Sequence, residues 1–184
     1  MGLKRFILLV ALVCIAMGMQ TPISGAEIKM GYIDSQKILE QYKPYQDALK
    51  EYSRYEEELS REINKQQNDL VKMQENYERQ ALLLSDKRKQ EEQQAILKKR
   101  QGLERFVQET TDPSRGKLAQ KQASLSEPIY RRINEIIKKV AENDGYDFVL
   151  NTASLAFAKE DYDLTEKVLE ELQRDDEARG QIGQ

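Results

Sequence analysis

The side chains that most often carry enzymatic chemistry are nearly missing from this chain. It has no histidine, and its only cysteine, Cys14, lies in an apolar run from Phe6 to Met19. It therefore lacks the commonest general base, the commonest soft metal ligands and, outside that run, a thiol nucleophile. Its glycines form neither a G-x-G pair nor a phosphate-binding loop. The acidic runs Glu56-Glu57-Glu58 and Asp175-Asp176-Glu177 lack the alternating oxygen ligands and central glycine of a calcium loop, and read as solvated faces. The basic run Lys98-Lys99-Arg100 has no interleaved aromatics and the formal charge is −3, so nucleic acid is not an expected partner. No catalytic residue, metal or cofactor is expected.

What remains is adhesive chemistry. The stretch ALLLSDKRK sets Leu82, Leu83 and Leu84 directly before Ser85-Asp86 and the cations Lys87, Arg88 and Lys89. Three adjacent leucines cannot share one face of a helix, so at least one points away from any buried seam. They could be core, a turn, or an exposed surface beside a basic collar. Packing of one leucine against a returning helix near Ile96 is the competing reading.

The elements that position this stretch follow from period and punctuation. Lys4 and Arg5 precede the apolar run, and Ser24-Gly25-Ala26 offers the small residues that a signal peptidase reads. The run is shorter than the ~20 residues that span a bilayer, so 1–26 is expected to be a signal peptide cleaved after about Ala26. Cys14 leaves with it, and so do two cations, which makes the mature chain more acidic still. Ile28 to Ile33 alternates as a strand, with Ile28, Met30 and Tyr32 on one face. Asp34-Ser35 caps a short helix through Tyr42, and Pro44 suits the opening turn of a new one.

From there apolar residues recur at three- and four-residue steps, counted in sevens from Ile38 and from Tyr42, as in a coiled-coil seam. The seam runs to Leu84 through Leu49, Ile63, Leu70, Met73 and Tyr77. Ser85 is a cap for a return helix starting at Asp86. Asp112-Pro113 should interrupt that helix and Pro128 should kink it. Gly145 should end it in the left-handed conformation. The runs Phe148 to Leu150 and Leu155 to Ala158, joined by Asn151 to Ser154, read as a β-hairpin. Asp163-Leu164-Thr165-Glu166 has capping-box spacing and opens a last helix through Leu172, with Asp175 to Gln184 frayed.

The expected fold is α+β and mainly α, a long helical hairpin projecting from a small β-sheet body. Residues 27–43 supply the first strand and short helix, 44–141 the arm with its tip near 82–90, and 142–184 the hairpin and helix that complete the body. A sheet of about three short strands leaves its edges open, so oligomerisation that pools the strands is expected.

Two stretches then carry a resemblance. KMGYIDSQKILEQYKPYQDALKEY is similar to the N-terminal stretch of the Skp/OmpH family of periplasmic chaperones. IYRRINEIIKKVAENDGYDFVLNTASLAFAKEDYDLTEKVLEEL resembles its C-terminal stretch. The resemblance implies a periplasmic homotrimer whose pooled strands form a small barrel. Its helical arms would enclose a cavity that holds unfolded outer-membrane proteins without ATP. It implies that Ile28, Met30, Tyr32, Phe148, Leu150, Leu155 and Phe157 build the trimer body. Met73, Tyr77 and Leu82 to Leu84 would meet clients on the distal arms, with Lys87, Arg88 and Lys89 hastening capture.

The chain departs from that pattern in two ways. It is acidic where family members are basic, although residues 85–141 stay net positive and 142–184 carry the excess of acid. Membrane contact is accordingly expected to be peripheral at most. Asp112 to Gly116 also breaks an arm that the family keeps helical. A non-catalytic coiled coil that spaces or tethers envelope layers is the rival reading, but a plain rod has no use for a β body.

Overall fold

A computed structural model describes residues 28–182; the expected signal peptide and its cleavage site lie outside them. Strand β1, Met30–Ile33, leads into helix α1, Ser35–Gln41. Asp34 accepts a hydrogen bond from the Lys37 amide at 3.0 Å, and its own amide donates to Thr165 Oγ1 at 2.8 Å. Tyr42 alone is non-helical, with φ −77° and ψ 109°, and helix α2, Lys43–Gln80, starts at once. Pro44 sits in its first turn, where a missing amide hydrogen is no loss. The 38 residues of α2 span about 57 Å at 1.5 Å per residue.

The chain reverses at Ala81–Ser85. The Ser85 hydroxyl accepts from the Arg88 amide at 3.4 Å and opens helix α3, Asp86–Thr111. Helix α4, Lys117–Asp144, completes the descent and passes Pro128 unbroken. Pro128 and Ser124 are both exposed, so the carbonyl that the proline leaves without a helical partner is open to water. Gly145 ends α4 at φ 70°, its amide donating to the Ala141 and Glu142 carbonyls.

Strand β2, Phe148–Asn151, then pairs with β1 in parallel, Met30 opposite Phe148 and Tyr32 opposite Leu150. Helix α5, Thr165–Ile182, closes the described chain. Because the strands are parallel, the return limb must descend past the whole sheet before it enters β2. Helices α3 and α4, of 26 and 28 residues, accordingly outlast α1 and α2, of 7 and 38. That places the reversal at the early edge of the expected 82–90 window.

Three expectations need correction. The hairpin does not form. The Asn151 side chain accepts from the Ala153 amide at 3.1 Å, bending the chain into a 3-10 turn at Thr152–Ser154, and Leu155 to Ala158 is not a strand. The other neighbour of β1 is a single bridge to Asp163, where the Leu164 amide donates to the Tyr32 carbonyl at 2.8 Å. Second, α5 does not fray at Asp175, because Arg132, Arg179 and Tyr42 hold its acidic residues. Third, Leu49 is exposed while Ala48 and Tyr55 turn inward; only farther out do Ile63, Leu70 and Tyr77 occupy the stripe. A straight helix drifts by about 20° per heptad against a seven-residue repeat, so over five heptads the stripe moves by roughly one residue.

The core lies in the body. Ile38 of α1, Ile136 of α4, and Val168 and Leu172 of α5 are almost wholly buried, and Ile33 and Val149 join them from the underside of the sheet. Burying each such side chain contributes about 1.5–3 kcal/mol. Tyr42 closes this core at the root of the arm. Burial first, then the Asp176 carboxylate, pushes its phenol up to about 12 from 10.0. A group raised on folding contributes stability that is whole below its unfolded value and is lost as pH climbs through the folded one. The unfolding free energy should therefore fall between pH 10 and 12, and Tyr42→Phe should flatten part of that fall in urea titrations.

The interruption of the return limb is a closed joint. The Asp112 side chain accepts from the Ser114 and Arg115 amides at 2.8 and 2.7 Å, and the Gly116 amide donates to the Asp112 carbonyl at 2.8 Å. Buried Thr110 donates its hydroxyl to the Phe106 carbonyl at 2.6 Å. A Cβ on Gly116 would lie 2.5 Å from the Asp112 carbonyl oxygen. Gly116→Ala is thus expected to lower stability by about 1–3 kcal/mol, the range for overpacking, as a shift in the urea midpoint.

Candidate functional site

Two surfaces draw together most of the residues singled out in the sequence. The first is the arm tip. Helix α2 stops at Gln80, and the Leu83 amide donates to the Gln80 carbonyl at 2.8 Å in the turn. With no further helical turn to cover them, Leu82 and Leu83 stand 96% and 88% exposed. Leu84, the seam position, is half-buried. Two of the three leucines therefore face outward. Beside them Lys87 and Arg88 are exposed, while Lys89 is half-buried and lies 3.9 Å from Asp86. Arg88 lies 3.4 Å from Glu91, an exposed pair of the kind that contributes little to stability and leaves the cation free to meet other charges.

Met73 and Tyr77 are placed differently from that open tip. Both are half-buried between the arm helices. The Tyr77 hydroxyl accepts from Gln93 Nε2 at 2.7 Å, and its ring lines a groove with Ile96 and half-exposed Leu97. Met73 lines a neighbouring groove with Phe106 and the cations Lys98, Lys99 and Arg105. Leu97 and these cations are not among the client-binding residues expected from the sequence. Their signal was present in Lys98-Lys99-Arg100, but the run was weighed only against nucleic acid.

The second surface is the outer face of the sheet. Strand alternation and the parallel register place Met30, Tyr32, Phe148 and Leu150 on one side, opposite Ile33 and Val149, which meet the core. Met30 and Phe148 are 52% and 57% exposed, whereas Tyr32 is buried. Ile28 and Leu155 join Met30, Tyr32 and Leu150 around an open groove of about 320 Å³. Phe157 is exposed on the segment that follows. Burial, with smaller effects from Asp163 and Glu160, raises the Tyr32 phenol above its ordinary value, so it stays neutral. Among the described residues β2 pairs only with β1, which leaves its far edge free. An apolar face of this kind beside an open strand edge is unusual on a monomer.

Salt links fasten the body behind this face. Lys139 lies 2.7 Å from Glu171, and its hydrogen bond holds the Glu171 carboxyl below the ordinary range. Lys167 pairs with Asp144, and Lys37 lies 2.6 Å from Glu166. Each of these pairs ties α5 to another element of the body. No described helix is long and apolar enough to cross a membrane.

Comparison with known proteins follows this geometry closely. A family model described as outer membrane protein (OmpH-like) matches residues 29–172, from the start of β1 into α5. The chaperone protein Skp of Vibrio cholerae serotype O1 is 37% identical over 54 residues, which are 29% of this chain and 32% of that protein. The match thus spans about a third of the length of that curated relative. The crystal structure of an OmpH-like protein from Caulobacter crescentus CB15 superposes with a TM-score of 0.70 at 12% identity, covering 84% of this chain and 89% of the other. That likeness establishes a shared fold of long helices on a small sheet. The family match, covering strand, arm and body together, shows that the chain belongs to the OmpH-like outer membrane protein family.

Proposed function

We propose that this protein is an ATP-independent periplasmic holdase: its arms, three to an assembly, bind unfolded outer-membrane proteins and keep them from aggregating. The observation that carries the reading is the tip, where Leu82 and Leu83 stand almost fully exposed next to Lys87 and Arg88. Family membership and the chaperone name of the Vibrio relative support it. The apolar sheet face, with Met30, Phe148, Leu150 and the free edge of β2, supports a homotrimer that pools its strands. Membrane contact on this reading is at most peripheral.

The physics of holding asks for contact without commitment. Each arm offers a few apolar and cationic side chains, and several arms around one client raise the effective concentration of all of them. Leucines on a short turn adapt to many client sequences because no shaped pocket selects one. The basic tip attracts acidic segments, an attraction that salt screens over about 8–10 Å. A passive spacer would need the length of α2 but has no use for leucines left open at its far end.

Suppression of aggregation tests this directly. Diluting a urea-unfolded outer-membrane β-barrel into a stoichiometric amount of assembly, without nucleotide, should abolish most light scattering, and sedimentation should give three chains. Undiminished scattering, or a monomeric mass, would overturn the reading. Leu82→Ser combined with Leu83→Ser should weaken client affinity about tenfold, equivalent to ~1.4 kcal/mol. Mass and helicity should stay unchanged. Loss of the assembly instead would place the leucines in a subunit contact.

A further inference from the structure

The family match ends at Leu172, yet α5 continues to Ile182. Its added turns are anchored at the root of the arm. Asp175 pairs with Arg132 of α4 and accepts from Arg179 Nε at 2.9 Å; the Asp175 and Arg132 side chains are only 21% and 13% exposed. Arg132 also reaches Glu135 at 3.2 Å. Beside Asp175, Asp176 accepts a hydrogen bond from the Tyr42 hydroxyl at 3.3 Å. Tyr42 is the single non-helical residue between α1, which packs in the body, and α2, which forms the arm. Gln173, Asp176 and Glu177 of α5 face Gln41 to Pro44 across a small cavity of about 230 Å³.

Helices separated by one extended residue form a joint that a few dihedral changes would swing. The added turns of α5 cross that joint and hold it from two sides, through Tyr42 on the outgoing limb and Arg132 on the returning one. We propose that α5 beyond Leu172 is a brace that sets the angle between arm and body, with Asp175 and Asp176 as its positioning residues. Removing the Asp176 carboxylate takes the acceptor from the buried Tyr42 hydroxyl, and removing that of Asp175 leaves the largely buried Arg132 with Glu135 as its remaining carboxylate, so the braced angle loses its advantage over neighbouring ones. The proposal rests on the fold and not on the holdase reading. If both hold, the brace also sets how far the arms stand apart around a client.

The test is a distance distribution. Spin labels at Glu75→Cys on α2 and Lys159→Cys in the body, in a Cys14→Ser background and diluted with unlabelled chain, report arm-to-body separation by double electron–electron resonance, with no client present. Asp175→Asn with Asp176→Asn should broaden the distribution relative to the parent while helicity by circular dichroism stays the same. A double variant with parent helicity and parent width would overturn the brace. Should that variant lose helicity, Tyr42→Phe, which removes only the hydroxyl, decides: a broader distribution supports the brace and an unchanged one overturns it.

Discussion

Everything in this molecule depends on one pairing, between the strand that opens the described chain and the strand that follows the whole arm. β1 meets β2 in parallel, and the contact is locked at its mouth, where the Lys29 amide donates to Asp147 Oδ2 at 2.8 Å and the Asp147 amide donates to the Lys29 carbonyl at the same distance. Lys29 also lies 4.2 Å from the centre of the Tyr146 ring, and its ammonium donates to the Asp144 carbonyl at 2.7 Å. Closing so long a loop is costly in entropy, although the cost grows only slowly with length. The intervening chain offsets it by folding on itself, α2 against α3 and α4. A parallel pair forbids a short connection, so the same constraint that makes the body also makes the arm.

The second consequence is a surplus of apolar surface in two places. The body can bury only one face of its two-stranded sheet, because α1, α4 and α5 all lie beneath it. The arm can bury only the seam between its limbs, and at the reversal nothing remains to cover Leu82 and Leu83. Both surpluses follow from geometry and sit at opposite ends of the arm. On the proposed reading one end suits assembly and the other suits capture, which would keep client contact away from the surfaces that join the subunits. The acidic body and basic return limb divide charge in the same sense.

Local chemistry was the legible part of this fold. Asp34, Ser85 and Gly145 act at helix ends through their own side chains or backbone freedom, so their positions alone mark α1, α3 and the end of α4. Asp112 to Gly116 was equally plain as a break, though not as a joint with its own hydrogen bonds. The misread parts have different causes. Leu155 to Ala158 has the apolar content of a strand, but those residues line or flank an exposed face, and the Asn151 turn decides their path. Asp175 and Asp176 looked solvated because Arg132 and Tyr42 reach them only in three dimensions. Leu49 failed as a seam residue because the helix is straighter than a strict heptad assumes. At the tip, composition marked the leucines, and only the turn geometry showed that two of them face outward.

The central claim is that the tip leucines touch the client. A photo-crosslinking amino acid in place of Leu83, irradiated with an unfolded outer-membrane protein bound, measures it most directly. The account predicts covalent client adducts from that position. Client that stays bound through purification yet gives no adduct at position 83 would contradict it.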